Sequence, residues 1–281
     1  MNYRHAFHAG NFADVLKHAV LVGLIDALKA KSKPFCYVDT HAGAGRYDLK
    51  SQEARKTGES EAGIARLQGA TDLPPLLRRY LEEVNPVLEA GFYPGSPLLA
   101  ARLLREDDGA ELCEVQDAEF AQLRALFADD AHIHVHQRDG YAAMKALLPP
   151  KQKRGLVLID PPFEAQEEEF RVIRAALDTA LARWPNATYA VWYPIKQGRV
   201  VQPFRRWLAQ CPAKNVLDVE LLLYPDDTPL RLNGTGIAIL NPPWRFDTVL
   251  HNALPTLGRL LGVDGTAARY KLNWLRQEGD A

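Results

Sequence analysis

Buried-strand patterns alternate with helical patterns along most of this 281-residue chain. Short apolar strands separated by helices assemble as a parallel sheet covered on both faces, so few folds remain open. Strands are expected over 35–39, 111–115, 133–135, 156–159 and 189–193. A first long helix takes Asn11 as N-cap and Asp14 in its first turn, buries Val15, Ala19, Val22 and Ile25 on one face, and stops before Pro34. Near the end, 216–224 and 236–240 are strand patterns with only a short turn-rich segment between them. A connection that short makes an antiparallel hairpin. The expected architecture is a single α/β, Rossmann-like domain over 1–281, with a seven-stranded, mostly parallel sheet whose last strand is antiparallel.

The stretch 46–92 breaks the alternation. It is polar, then helical, with Leu77, Leu81 and Val84 at helix spacing, Pro74 and Pro75 at the start, and Pro86 ending or kinking the helix. No strand is evident there. A parallel crossover needs only about a dozen residues, so 46–92 is expected to be a small helical insertion subdomain. Ser96 followed by Pro97 then forms the N-cap and first turn of another helix.

Thirty-four Lys and Arg against 35 Asp and Glu give a net charge of −1, which excludes a generalised polycation. Nucleic-acid contact must come from local clusters. No apolar run is long enough to span a membrane, and Met1-Asn2-Tyr3-Arg4-His5 lacks the core of a secretory signal. Three widely spaced cysteines, Cys36, Cys113 and Cys211, fit free thiols of a reducing cytoplasm better than disulfides. A monomer is the expected state.

Three strand endings have cofactor chemistry. His41-Ala42-Gly43-Ala44-Gly45 follows the first strand, where Gly43 and Gly45 let the backbone turn tightly and approach a ligand; a G-x-G alone also fits a plain turn, and its position in the βαβ pattern favours a binding role. Glu114 ends the second strand, where a carboxylate accepts from both ribose hydroxyls of a nucleoside. Asp139-Gly140 follows the third, offering an acceptor for an adenine amine and a glycine that admits the ring. In an open parallel sheet these endings face one crevice. A nicotinamide dinucleotide would use a similar turn, so this half does not identify the cofactor.

The fourth strand ends in Asp160-Pro161-Pro162-Phe163. The exocyclic amine of adenine is a poor nucleophile because its lone pair is delocalised into the ring. The Asp160 carboxylate and the Pro161 carbonyl can each accept one amine proton and aim that lone pair at a methyl donor. The two prolines fix φ, and Phe163 offers a face on which an extruded base stacks. Asn241-Pro242-Pro243-Trp244 fits the same loose pattern, but it ends the reversed strand and belongs on the opposite edge of the sheet, where it closes the structure.

Together with Tyr3-Arg4-His5, Phe7-His8-Ala9-Gly10-Asn11, Asp14-Val15-Leu16-Lys17-His18, Asp39 to Tyr47, and Tyr93-Pro94-Gly95-Ser96-Pro97, these motifs resemble the RlmJ-type 23S ribosomal RNA adenine-N6 methyltransferases of bacteria. The resemblance runs over nearly the whole chain. It implies a class I methyltransferase fold with a helical insertion, S-adenosyl-L-methionine as cofactor, and as substrate an adenine of 23S rRNA, number 2030 in the usual bacterial numbering. It also implies cofactor contacts at His18, His41, Ser96, Glu114, Asp139, Gly140 and Asp160, and a substrate role for Tyr3. From their residue types alone, His18 is a helix-face histidine and Ser96 a cap. Phe163 stands where such motifs also carry tyrosine, so stacking survives and a hydroxyl contact does not.

RNA contacts are expected from the tail Tyr3, Arg4 and His5 and from the cations Lys17, Lys196 and Arg199; the run Lys29, Lys31 and Lys33 and the pair Arg205 and Arg206 are weaker candidates. His132, His134 and His136 alternate along a strand without partners for a ligand set, so no metal is expected. A DNA adenine methyltransferase shares Asp-Pro-Pro-Phe but needs more room for target recognition than 46–92 offers. A nicotinamide oxidoreductase has no use for that motif, and a non-catalytic RNA-binding protein would not need both halves of the site.

Overall fold

The computed structural model describes residues 4–225, 228 and 232–279. Helix α1 (Phe12–Lys29) begins at the expected cap. The Asn11 side chain accepts from the amides of Ala13 at 2.9 Å and Asp14 at 3.0 Å, satisfying donors that a helix start leaves open. Every residue from Ala13 to Ile25 is buried, so α1 is a core helix wrapped by its neighbours and not a surface helix with one apolar stripe.

Strand β1 (Cys36–Asp39) follows, and then the segment expected as an insertion: β2 (Arg46–Asp48), α2 (Gln52–Thr57), α3 (Glu59–Ala62), α4 (Pro75–Glu89) and β3 (Phe92–Pro94). The alternation resumes with α5 (Ser96–Leu103), β4 (Gly109–Glu114), α6 (Asp117–Leu126), β5 (Ile133–Gln137), α7 (Gly140–Leu147), β6 (Gly155–Ile159), α8 (Gln166–Arg183), β7 (Thr188–Ile195) and α9 (Gly198–Leu208). The chain ends in β8 (Val216–Leu222), β9 (Gly234–Leu240), α10 (Phe246–Leu261) and β10 (Arg269–Arg276).

The main sheet has the order β10-β8-β9-β7-β6-β1-β4-β5. β5, β4, β1, β6 and β7 are parallel. β9 runs against both β7 and β8, so β8 shares the parallel direction and β9 is the expected reversed strand. One strand more than expected completes the sheet: β10 pairs antiparallel with β8. Its residues are mostly exposed, with only Leu272, Trp274 and Leu275 partly covered, and a polar edge strand carries no apolar run to reveal it.

The insertion also departs from expectation. β2 and β3 pair antiparallel, Tyr47 opposite Tyr93; three-residue strands are too short to display a period. Pro86 lies inside α4, which continues to Glu89. At α5 the N-cap is Gly95, and Ser96 is the first helical residue. Its hydroxyl does not cap; it donates to Asp39.

Apolar residues of α1, α4, α5, α6 and α10 build the core on one face of the sheet, and those of α7, α8 and α9 on the other. Among the described residues no helix is long and apolar enough to cross a membrane. The carboxyl ends of β1, β4, β5, β6 and β7 share one edge, where ligands of open α/β sheets bind.

Candidate active site

A cleft of about 1030 Å³ opens along that edge. It brings together His18, His41, Gly43, Ser96, Glu114, Asp139, Gly140 and the whole Asp160–Phe163 segment, with His5, Lys17 and Lys196 also in its wall. Three expected site residues stand elsewhere. Gly45 has φ of +80° and a Cβ there would meet Leu126 at 2.8 Å, so this glycine serves the packing of α6 and does not line the cleft. Arg4 is exposed and pairs with Glu53 of α2 at 3.2 Å. Arg199 lines a separate recess. Tyr3 lies outside the described residues.

The end of β1 is organised around a buried carboxylate that the sequence reading left out. Asp39 Oδ2 accepts from the hydroxyls of Tyr37 and Ser96, each at 2.6 Å. Burial pushes the Asp39 carboxyl up to about 6, against the opposing pull of those two donors. The following loop turns at Gly43, with φ of +61°, where a Cβ would stand 2.2 Å from the Tyr47 hydroxyl. The Gly43 amide donates to Glu114 Oε2 at 2.9 Å, and Gln116 N donates to Oε1 at 2.7 Å. Two backbone amides thus aim the Glu114 carboxylate, leaving each oxygen a second lone pair for a ligand.

Asp139 caps α7 by accepting from Ala142 N at 2.8 Å. A Cβ on Gly140 would be 2.0 Å from the Thr40 carbonyl, so this glycine lets α7 press against the β1 loop, a packing reason beyond the one expected. His18 is buried and its Nδ1 is 2.8 Å from the Tyr93 hydroxyl. Burial pushes its imidazole down to about 3 and that of His41 down to about 4. Both rings are therefore neutral near pH 7.

Lys17 overturns its expected role as a cation facing RNA. It is 4% exposed, and its ammonium is held by Asp160 Oδ2 at 2.6 Å and Asp14 Oδ1 at 2.9 Å. Burial works against this charge, but the two carboxylates outweigh it and hold the ammonium well above its usual range. Asp14 in turn is 3.0 Å from His5 Nε2. Burial disfavours the Asp14 charge too, yet His5 and Lys17 bring its carboxyl well below the ordinary value. The series His5, Asp14, Lys17, Asp160 therefore crosses from the amino-terminal segment to the end of β6. The clue in the sequence was an i, i+3 acid–base pair in an otherwise apolar helix.

Among the described residues, none hydrogen-bonds Asp160 Oδ1 or the Pro161 carbonyl. Phe163 departs from the expected stacking role. With φ of +48° its side chain turns inward, 3% exposed, against Phe170 at 5.2 Å and Trp192 at 5.6 Å between ring centroids. Trp192 is the more open aromatic in the cleft wall, and its indole N–H donates to Thr235 at 2.7 Å. Asn241 closes the opposite edge, donating to the carbonyls of Pro185 and Ala187 at 2.9 and 3.0 Å, while Trp244 is 90% exposed and away from the cleft. His136 is paired with Glu111 at 2.6 Å. Among the described residues no three His, Cys, Asp or Glu are grouped as a metal site.

Residues 32–276 match the family model described as ribosomal RNA large subunit methyltransferase D, RlmJ. The chain is 40% identical to ribosomal RNA large subunit methyltransferase J of Haemophilus influenzae, over 99% of this chain and 100% of that one. It is 39% identical to the protein of the same name from Escherichia coli, with the same coverage. A crystal structure from Legionella pneumophila, 33% identical, superimposes with a TM-score of 0.87 over 97% of this chain and 99% of that one.

Proposed function

The chain belongs to the RlmJ family of ribosomal RNA large subunit methyltransferases, and from that premise we propose that it methylates the N6 amine of an adenine in 23S rRNA, adenine 2030 in bacterial numbering, using S-adenosyl-L-methionine. The observation that carries this reading is the meeting of Asp160-Pro161-Pro162 with a nucleoside-shaped acceptor set in one cleft.

The residues fit that cofactor. Glu114, aimed by two amides, accepts from ribose hydroxyls, and Asp139 accepts from an adenine amine through the oxygen that does not cap α7. His18 and His41, neutral through burial, add no positive charge beside a sulfonium. Ser96 is fixed by Asp39 at the same wall. When bound, S-adenosylmethionine supplies an electrophilic methyl group on a sulfonium.

The chain's own work is to present the amine. Asp160 Oδ1 accepts a hydrogen bond from one amine N–H and the Pro161 carbonyl from the other, which draws the nitrogen lone pair out of the ring. Lys17 holds Oδ2 and fixes the carboxylate's direction. Pro161 and Pro162 stiffen the turn, and Trp192 gives the base an aromatic face. Positioning and fixed dipoles of this kind account for most of such a reaction's acceleration. Tyr3, His5, Lys196 and Arg199 are the proposed RNA contacts, joined by Arg4.

The test is transfer of labelled methyl from S-adenosylmethionine to protein-free 23S rRNA from cells lacking this protein, with nucleoside analysis. N6-methyladenosine at one site is expected. Asp160→Ala should lower the rate by at least about 10²-fold while S-adenosylmethionine still binds. No incorporation by the unaltered protein, or full activity in the variant, overturns the reading.

A further inference from the structure

A second recess, of about 260 Å³, opens between α9 and β10. Ile195 of β7 pairs with Gly234, Leu222 also pairs with Gly234, and Leu222 pairs with Arg269. That row of partners sets the recess level with the carboxyl end of β7, on the edge that carries Asp160. From β6 the sheet steps through β7, β9 and β8 to β10, which at about 4.8 Å per strand places it roughly 19 Å along the edge from Asp160. Lys196, exposed and in the wall of the main cleft, lies between the two.

The recess is walled by Arg199, Gln202, Arg205, Arg269 and Lys271, with Glu220 buried among them. Arg205 is engaged by Asp218 at 2.9 Å and Glu220 at 3.4 Å, and Lys271 by Glu220 at 3.2 Å. Among the described residues these pairs take up Arg205 and Lys271 alone. Arg199 and Arg269 are exposed and, among the described residues, neither has a carboxylate within ion-pair distance; Arg199 donates to the Gln197 amide at 2.9 Å and Arg269 to the Tyr224 carbonyl at 3.4 Å. In a protein of net charge −1, Arg199, Arg205, Arg269 and Lys271 against the two carboxylates Asp218 and Glu220 form a local positive site.

We propose that this recess binds phosphodiester groups of the RNA strand flanking the target adenine, with Arg199 and Arg269 as the phosphate forks. The proposal rests on the reading of the chain as an rRNA methyltransferase. A guanidinium matches two phosphate oxygens at once, Lys271 adds a point charge, and the Gln202 amide adds a neutral donor. Such contacts position the strand without reading its sequence.

Each phosphate neutralised releases condensed counterions, so log K falls with log salt by about 0.7 to 0.9 per contact. Binding of protein-free 23S rRNA is measured across about 50 to 300 mM salt, with S-adenosylmethionine affinity and the rRNA KM measured in parallel. Arg199→Gln/Arg269→Gln should flatten the slope by about 1.4 to 1.8 and raise the rRNA KM, leaving cofactor affinity unchanged. Lys151→Gln/Lys153→Gln removes the same charge from exposed residues just before β6, at the opposite edge of the sheet, and should leave the slope as it was. An unchanged slope in the arginine variant, or equal flattening in both, overturns the proposal. Slope loss confined to the arginine variant supports the surface even if the unaltered protein methylates no adenine, which would sink the proposed reaction alone.

Discussion

The imidazole of His18 is held neutral inside α1, and this has a thermodynamic consequence. Its folded-state pKa is pushed by burial from 6.5 to about 3. Between those values the unfolded chain binds a proton that the folded chain refuses, so stability falls as pH falls below 6.5. At 1.36 kcal/mol per unit, acidification to about pH 4.5 should cost roughly 2 to 3 kcal/mol through this residue. His18→Gln should remove that part of the acid sensitivity, read as urea midpoints at about pH 7 and pH 4.5 without cofactor. Equal losses in the variant and the unaltered protein would show that His18 protonates in the fold. At this scale the sequence was legible in placement, since Glu114 and Asp160 both line the cleft expected at the strand ends. It was opaque for Lys17, because periodicity shows one apolar face and is silent on whether the other side of a helix is covered as well.

Among elements, the site depends on how closely α7 approaches the loop after β1. Gly140 has the Thr40 carbonyl where a Cβ would be, at 2.0 Å, and neither backbone can give way without moving its element. Gly140→Ala should therefore displace α7, costing about 1 to 3 kcal/mol as overpacking does. Asp139, which caps α7, would move with it. Calorimetry should find S-adenosylmethionine affinity lowered as well as the melting temperature; normal affinity in a destabilised variant would separate α7 from the cofactor site. The alternation of strands and helices revealed every buried parallel strand, since such strands read as continuous apolar runs. It missed β2, β3 and β10, which are short or exposed. It also gave Ser96 a capping role, because its real partner, Asp39, is 57 positions away in the chain.

Across the whole molecule, the amino-terminal segment is linked by ion pairs both to the 46–92 segment and, through Asp14 and Lys17, to Asp160. Arg4 pairs with Glu53 of α2, His8 with Glu59 of α3 at 2.9 Å, and His5 with Asp14, which shares Lys17 with Asp160. The motif containing Tyr3, Arg4 and His5 was noticed only through family resemblance, because nothing in a short polar tail discloses that His5 lines a cleft. Of its residues, His5 lines that cleft, whereas Ser96, Glu114 and Asp139, the proposed cofactor contacts, are fixed by Asp39, by two backbone amides and by the cap of α7. Deleting residues 1–5 should therefore lower turnover on 23S rRNA by at least about 10²-fold, the scale on which a misplaced reacting group slows an enzyme, and change S-adenosylmethionine affinity far less. Parallel losses in turnover and cofactor affinity would mean instead that the tail belongs to the cofactor site, and that the series from His5 to Asp160 serves the fold and not the presentation of the target base.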